Sequence, residues 1–194
     1  MSASSHKGLL MATMEPPASM EEEFQDWYDT EHVPERRAYP GFETAHRWVC
    51  VDGWPRWLAT YDLASVDAVQ TPQNLSTNGD KASPWSKRIL SRLSGRRRVV
   101  ATQISPGDEL CLPAEKVSRL LLALYPSALL DPKAGAPPSA PGHAQLRYFR
   151  APGETWLLAA FESPVVLGGL TAAYGSLGGC GASLFNLYAP YRRT

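Results

Sequence analysis

The chain has 194 residues, 44% of them apolar and 20% charged, and its nineteen basic and nineteen acidic side chains cancel. That balance allows a buried core and leaves no global field to draw the protein onto nucleic acid or anionic lipid, so a small molecule or another protein is the expected partner. Cys50, Cys111 and Cys180 show neither paired zinc spacing nor an even disulfide count. No apolar stretch approaches the roughly 18 residues of a membrane helix, and the start MSASSHKG lacks a signal-peptide core, so a reduced, cytoplasmic protein without membrane attachment is expected.

Residues 8–14 (GLLMATM) form a short apolar run closed by Glu15, Pro16 and Pro17, which reads as a strand. Ser19 is placed to cap a helix whose first turn holds Glu21, Glu22 and Glu23. Met20, Phe24, Trp27, Tyr28 and Glu31 share one face of that helix, with His32 at its margin. Pro34 disfavours helical geometry at Val33 and Pro40-Gly41 closes the segment, which puts His32 at a helix terminus.

Residues 43–51 (ETAHRWVCV) and 56–63 (RWLATYDL) flank Asp52-Gly53, a dipeptide suited to a tight hairpin turn. Residues 65–70 begin a second helical stretch, 71–83 are loop, 85–93 are helical and 96–104 form a fourth strand. The basic run Arg96, Arg97 and Arg98 at its entrance reads as a solvated edge guard. Strand, helix, strand, strand, helix, strand is the split arrangement of a ferredoxin-like unit.

The second half repeats this order in weakened form. Residues 119–125 resemble 8–14, and 143–161 align with 45–61, placing Arg147 and Tyr148 under Arg47 and Trp48, and Trp156 under Trp57. Residues 126–142 are rich in Pro, Ala and Gly with almost no helical period, so the first long helix is lost there and a loop or linker replaces it. Residues 163–174 supply a short helix and 183–188 a last strand. The predicted fold is α+β: two tandem ferredoxin-like repeats, residues 1–107 and a degenerate 108–194, packed as a single-chain α+β barrel.

The stretch EEFQDWYDTEHVPERRAYPGF, with Phe24, Trp27, Tyr28, His32, Pro34, Pro40 and Gly41, resembles the EthD-like family of the dimeric α+β barrel superfamily. The resemblance extends over residues 7–105. It implies a sheet-lined cavity under the first helix, and relatives that act on hydrophobic or aromatic small molecules, often as cofactor-free cyclases, decarboxylases, dehydratases or isomerases.

His32 is the candidate acid-base group, because imidazole titrates near neutral pH and needs only a carboxylate to orient it. Asp29 and Glu31 are its candidate orienting carboxylates. Glu31, on the aromatic face, calls for an internal partner such as Arg47 or Arg147, or else becomes a second acid-base group in a wet cavity. Tyr28, Trp27, Trp48, Trp57 and Tyr61 are candidate substrate-binding residues forming an aromatic-walled pocket, with Tyr148 and Trp156 also available to its face. His46, on a strand, could face His32. No metal-ligand pattern surrounds the two histidines, and no cofactor is called for. The leading function is therefore cofactor-independent proton-transfer chemistry, as a lyase or isomerase. Its alternatives are a non-catalytic protein binding a hydrophobic ligand or pairing with a second copy, and a haem-binding barrel with an axial histidine.

Overall fold

The computed structural model describes residues 6–126, 142–177 and 179–193. The first half contains β1 (Gly8–Glu15), α1 (Glu21–Trp27), a π-helical turn (Tyr28–His32), α2 (Val33–Arg37), β2 (His46–Asp52), β3 (Trp57–Leu63), α3 (Pro72–Leu75), α4 (Pro84–Leu90) and β4 (Ser94–Ser105). The second contains β5 (Arg119–Pro126), β6 (Gln145–Ala151), β7 (Glu154–Phe161), α5 (Leu167–Tyr174), the short hairpin strands β8 (Ser176–Leu177) and β9 (Cys180–Gly181), and β10 (Leu184–Pro190). The expected linker falls largely on residues 127–141, which lie outside those described.

The long strands close into one antiparallel barrel in the order β1-β3-β2-β10-β5-β7-β6-β4, with β4 returning to β1. Taken half by half, the order is β4-β1-β3-β2 and then β10-β5-β7-β6. In each half the fourth strand lies beside the first, then come the third and the second, which is the ferredoxin-like order the sequence predicts. The halves meet at two seams, β2 with β10 and β4 with β6. One chain thus closes the barrel by itself, leaving short overhangs rather than long free edges.

Alternation along each strand divides the apolar residues between lumen and outer surface. Leu9, Met11, Trp48, Leu58, Phe149 and Trp156 belong to one buried cluster contributed by both halves, so the lumen is a packed core. On the outer surface of the first half, Leu10, Met14, Trp57 and Tyr61 pack under Phe24, Trp27 and Tyr28 of the helical layer. On the second half, Leu121, Leu157 and Phe161 pack under Leu170 and Tyr174 of α5. Each such side chain contributes roughly 1.5–3 kcal/mol through burial.

Two local expectations are corrected. The first helix does not stop at Val33: α1 passes through the π turn directly into α2, and the Val33 N–H bonds to the Tyr28 carbonyl five residues back. The wider turn relieves the clash between a proline ring and the carbonyl four residues earlier, so Pro34 is accommodated and His32 sits inside a continuous helical segment. Ser19 does not cap the helix; residues 18–20 form a 3-10 turn and Met20 holds the cap position without a side-chain bond. Ser83 does cap α4, accepting the Ser86 N–H at 2.9 Å.

The hairpin register also differs from a tight turn at Asp52-Gly53. A two-residue loop there would set Trp48 opposite Trp57, whereas Trp48 pairs with Leu58 and Arg47 with Ala59. Gly53 opens the longer loop at φ +119°, and a Cβ on it would strike the Asn186 side chain, so only glycine fits.

Across the lumen, Arg147 of β6 meets Asp62 of β3 at 2.7 Å, with side chains 1% and 2% exposed. The second Asp62 oxygen accepts from Thr44 Oγ1 at 2.8 Å and from the Cys111 N–H at 2.6 Å. Gln103 and Gln145 bond the backbone of Glu109, Leu110 and Leu112, so the connection between the halves is tied into the same end of the barrel. Asp62→Ala, which strands a buried guanidinium, is expected to lower unfolding free energy by about 3–5 kcal/mol in urea titrations. The double replacement Asp62→Leu with Arg147→Met is expected to recover most of that loss.

Candidate functional site: a cleft between the first helix and the sheet

A small cleft, open to solvent, lies between the helical layer and the outer surface of the first half-sheet. Leu10, Ala12 and Met14 of β1 and Tyr61 of β3 line it from the sheet. Tyr28, His32 and Arg36 line it from the helical segment, and Ser86 and Leu90 from α4. The loop residues Thr77, Asn78 and Gly79 complete its wall with Arg96 and Arg98 of β4.

The His32 ring stacks on Trp27 at 4.4 Å between centroids and stands edge-on to Tyr28 at 5.2 Å. No hydrogen bond from the described residues reaches either ring nitrogen. Its pKa is held well below the ordinary imidazole value, first by burial and then by the charges of Arg36, Arg47 and Arg96, so the ring is neutral. A neutral imidazole offers one nitrogen as a proton acceptor.

Two phenols accompany it. Tyr28 Oη donates to Met14 Sδ at 3.1 Å, a weak acceptor, and burial pushes its pKa up to about 12. Tyr61 is 2% exposed, and its hydroxyl makes no hydrogen bond among the described residues. Burial, followed by the neighbouring Tyr28, pushes Tyr61 well above the ordinary phenol range. Both hydroxyls therefore remain protonated and serve as donors.

The carboxylates expected to orient His32 make other bonds. Asp29 pairs with Arg47 at 2.8 Å and with Arg193 at 3.5 Å. The Arg47 guanidinium also bonds Gln25 and lies 4.3 Å from the ring centroids of both Tyr28 and Tyr191. Asp29 thus holds a clamp between the first helix and the chain end. Glu31 Oε1 accepts from Trp27 Nε1 at 3.2 Å, Ser83 Oγ at 2.5 Å and Ser86 Oγ at 2.9 Å. Neither Arg47 nor Arg147 is the partner of Glu31; it ties the first helix to the start of α4.

The expected aromatic wall is divided by the sheet. Tyr28 and Tyr61 line the cleft, with Trp27 behind His32 and Trp57 packed against Phe24 and Tyr191 nearby. Trp48 points into the lumen with Trp156, and Tyr148 packs on the outer surface of the other half. His46 shares the lumen side with Trp48, 5.8 Å away, so the sheet separates it from His32. Its pKa is lowered, chiefly by burial. Among the described residues no group of three or more His, Cys, Asp and Glu side chains could hold a metal.

Sequence reasoning missed Arg36, Arg96 and Arg98. Alternation was the available signal: in an Arg-Arg-Arg run on a strand the first and third share one face. Arg96 and Arg98 are exposed, in keeping with a solvated strand entrance, and β4 pairs with β6 only from Thr102 onward. Arg97 turns to Glu154 and the Trp156 ring, while Arg96 and Arg98 turn to the cleft.

Fold and cleft together define an α+β barrel protein with a solvent-open cleft under its first helix. No protein-family model and no curated protein matches the sequence. Among solved structures the chain is similar to an anthrone oxidase-like protein, with TM-score 0.66 and 12% identity over 97% of this chain and 92% of that one. It is also similar to a variant chlorite dismutase from Candidatus Nitrospira defluvii, with TM-score 0.56 and 11% identity over 96% and 92% of the two chains. A protein from Lactobacillus acidophilus assigned as a monooxygenase gives TM-score 0.55 and 7% identity over 96% and 94%. At these identities the likeness is one of fold.

The state of His32 is directly measurable. Its ring resonances in NMR are expected not to titrate between about pH 6 and 8, where a free imidazole changes charge near 6.5. Because unfolding frees the ring to take up a proton that the fold refuses, its contribution to stability is complete above about pH 6.5 and declines as pH falls below that value.

Proposed function

We propose that this chain is a cofactor-independent enzyme of the EthD-like kind, performing proton transfer on a hydrophobic or aromatic small molecule in the cleft. The observation that supports this most is the neutral imidazole of His32, unbonded by the described residues and lining a cleft together with the Tyr28 and Tyr61 phenols. In the proposed reaction, His32 accepts the proton of an acidic C–H bond. The bonding electron pair moves onto the adjacent carbonyl oxygen, and the Tyr28 and Tyr61 hydroxyls stabilise the resulting enolate. Return of the proton at a different atom is an isomerisation; loss of a leaving group from the enolate is a lyase reaction. Asp29 and Glu31 act at one remove, holding the helical segment that carries His32, and a homodimer is compatible with this arrangement without being needed to complete the barrel.

A similar structure is described as anthrone oxidase-like, so anthrone is a suitable first probe, as an aromatic ketone with an acidic C–H. The test is exchange of that hydrogen with solvent deuterium, followed by NMR. His32→Gln is expected to slow the protein-dependent exchange by about 10²- to 10⁴-fold while the circular dichroism spectrum is kept. Unchanged exchange in a folded variant would sink the proposal, and binding of anthrone without exchange would favour the non-catalytic alternative. A Soret band on haem addition that disappears in His32→Gln would favour the haem-binding alternative.

A further inference from the structure

The cleft gathers three guanidinium groups without a carboxylate partner among the described residues. Arg36 is 6% exposed and is held by the side-chain oxygens of Asn74 and Asn78, with its guanidinium 5.4 Å from the Tyr39 ring centroid. Those contacts orient the group and leave its charge uncompensated. Arg96 and Arg98 reach the same cleft from alternate positions of β4, in its exposed part. By contrast, Arg47, Arg56, Arg88 and Arg147 each have a carboxylate within 3.0 Å. The mutual proximity of the cleft arginines is felt at Arg98, whose pKa is lowered first by partial desolvation and then by Arg36 and Arg96. The neighbouring carboxylate of Glu31 is turned to Ser83 and Ser86.

A second observation points the same way. The Tyr61 hydroxyl is buried against the cleft beside that of Tyr28 and makes no hydrogen bond among the described residues, and a buried unbonded donor is costly unless a ligand satisfies it. Tyr28 has only a thioether sulfur as acceptor. The cleft therefore presents cations and phenol donors, while Leu10, Ala12 and Leu90 give it apolar walls.

We infer that the cleft binds a small apolar or aromatic carboxylate: Arg96 and Arg98 hold the carboxylate oxygens with Arg36 behind them, Tyr61 donates to a further oxygen, and Leu10, Ala12 and Leu90 pack on the body. This assigns a substrate class to the proton-transfer function above and concerns binding alone. Guanidinium groups match a carboxylate because their paired N–H donors can meet both oxygens.

The test compares 2-naphthoate with its neutral counterpart 2-naphthamide, titrated calorimetrically into the intact protein. The acid is expected to bind at least about tenfold more tightly, and only the acid should weaken when salt is raised. Arg96→Gln with Arg98→Gln, both on exposed positions, is expected to abolish the preference while leaving the amide affinity within about twofold; the corresponding Lys pair should retain part of it. Equal affinities, a preference surviving the double Gln variant, or no binding of either probe to the parent protein would each overturn the proposal. His32→Gln separates it from the catalytic function. An acid preference in the parent protein without His32-dependent exchange would overturn the catalytic function alone, and His32-dependent exchange with equal affinities would overturn this proposal alone.

Discussion

The Asp62–Arg147 pair is the interaction on which the architecture turns, because it joins β3 of one repeat to β6 of the other inside the lumen. A charge pair in such low-dielectric surroundings is tolerable only when its remaining valences are met. Thr44 and the Cys111 N–H satisfy the carboxylate, and the Glu109 carbonyl lies 3.4 Å from Arg147 Nη1. The connecting segment between the repeats is thereby drawn into the barrel end. The lumen is occupied by this network and by large side chains such as Trp48 and Trp156. The proposed ligand site is the gap where the helical layer meets the outer surface of the sheet.

The repeat and its strand order were legible because apolar runs, turn residues and element order survive divergence. The residue-level alignment was not. Arg47 and Arg147 align by eye, yet Arg47 lies on the helix side, stacked on Tyr28, and Arg147 lies in the lumen. Trp57 and Trp156 are divided in the same way. A strand has a period of two, so an alignment wrong by one residue exchanges inside for outside while the apolar pattern still looks right. The loop after Asp52 had the same effect: one residue of register moved Trp48 away from Trp57 and dispersed the expected aromatic wall.

The His-x-Pro segment was located correctly on the first helix but with the wrong local geometry. Proline rules predict a break because they assume the regular hydrogen-bond spacing of an α-helix. The π turn changes that spacing over Tyr28–His32 and lets the helix continue. His32 consequently faces the sheet from within the helical segment, framed by Trp27 and Tyr28. The adjacent carboxylates were misread for a different reason: nearness in sequence says nothing of which donors the tertiary structure brings to them, and Arg47, Ser83 and Ser86 come from other elements.

The arginines and the histidine are parts of one electrostatic arrangement. Burial is the larger cause of the neutral state of His32, and the fields of Arg36, Arg47 and Arg96 add to it. An anionic ligand held by Arg36 and Arg96 would offset that second contribution without removing the first. The imidazole would then remain unprotonated in the empty cleft and become a better proton acceptor once a carboxylate is bound, since a nearby negative charge favours the imidazolium that proton abstraction creates. In the proposed chemistry, the charge that recognises the substrate is also the charge that holds its base ready, and relief of that field on binding links recognition to proton transfer.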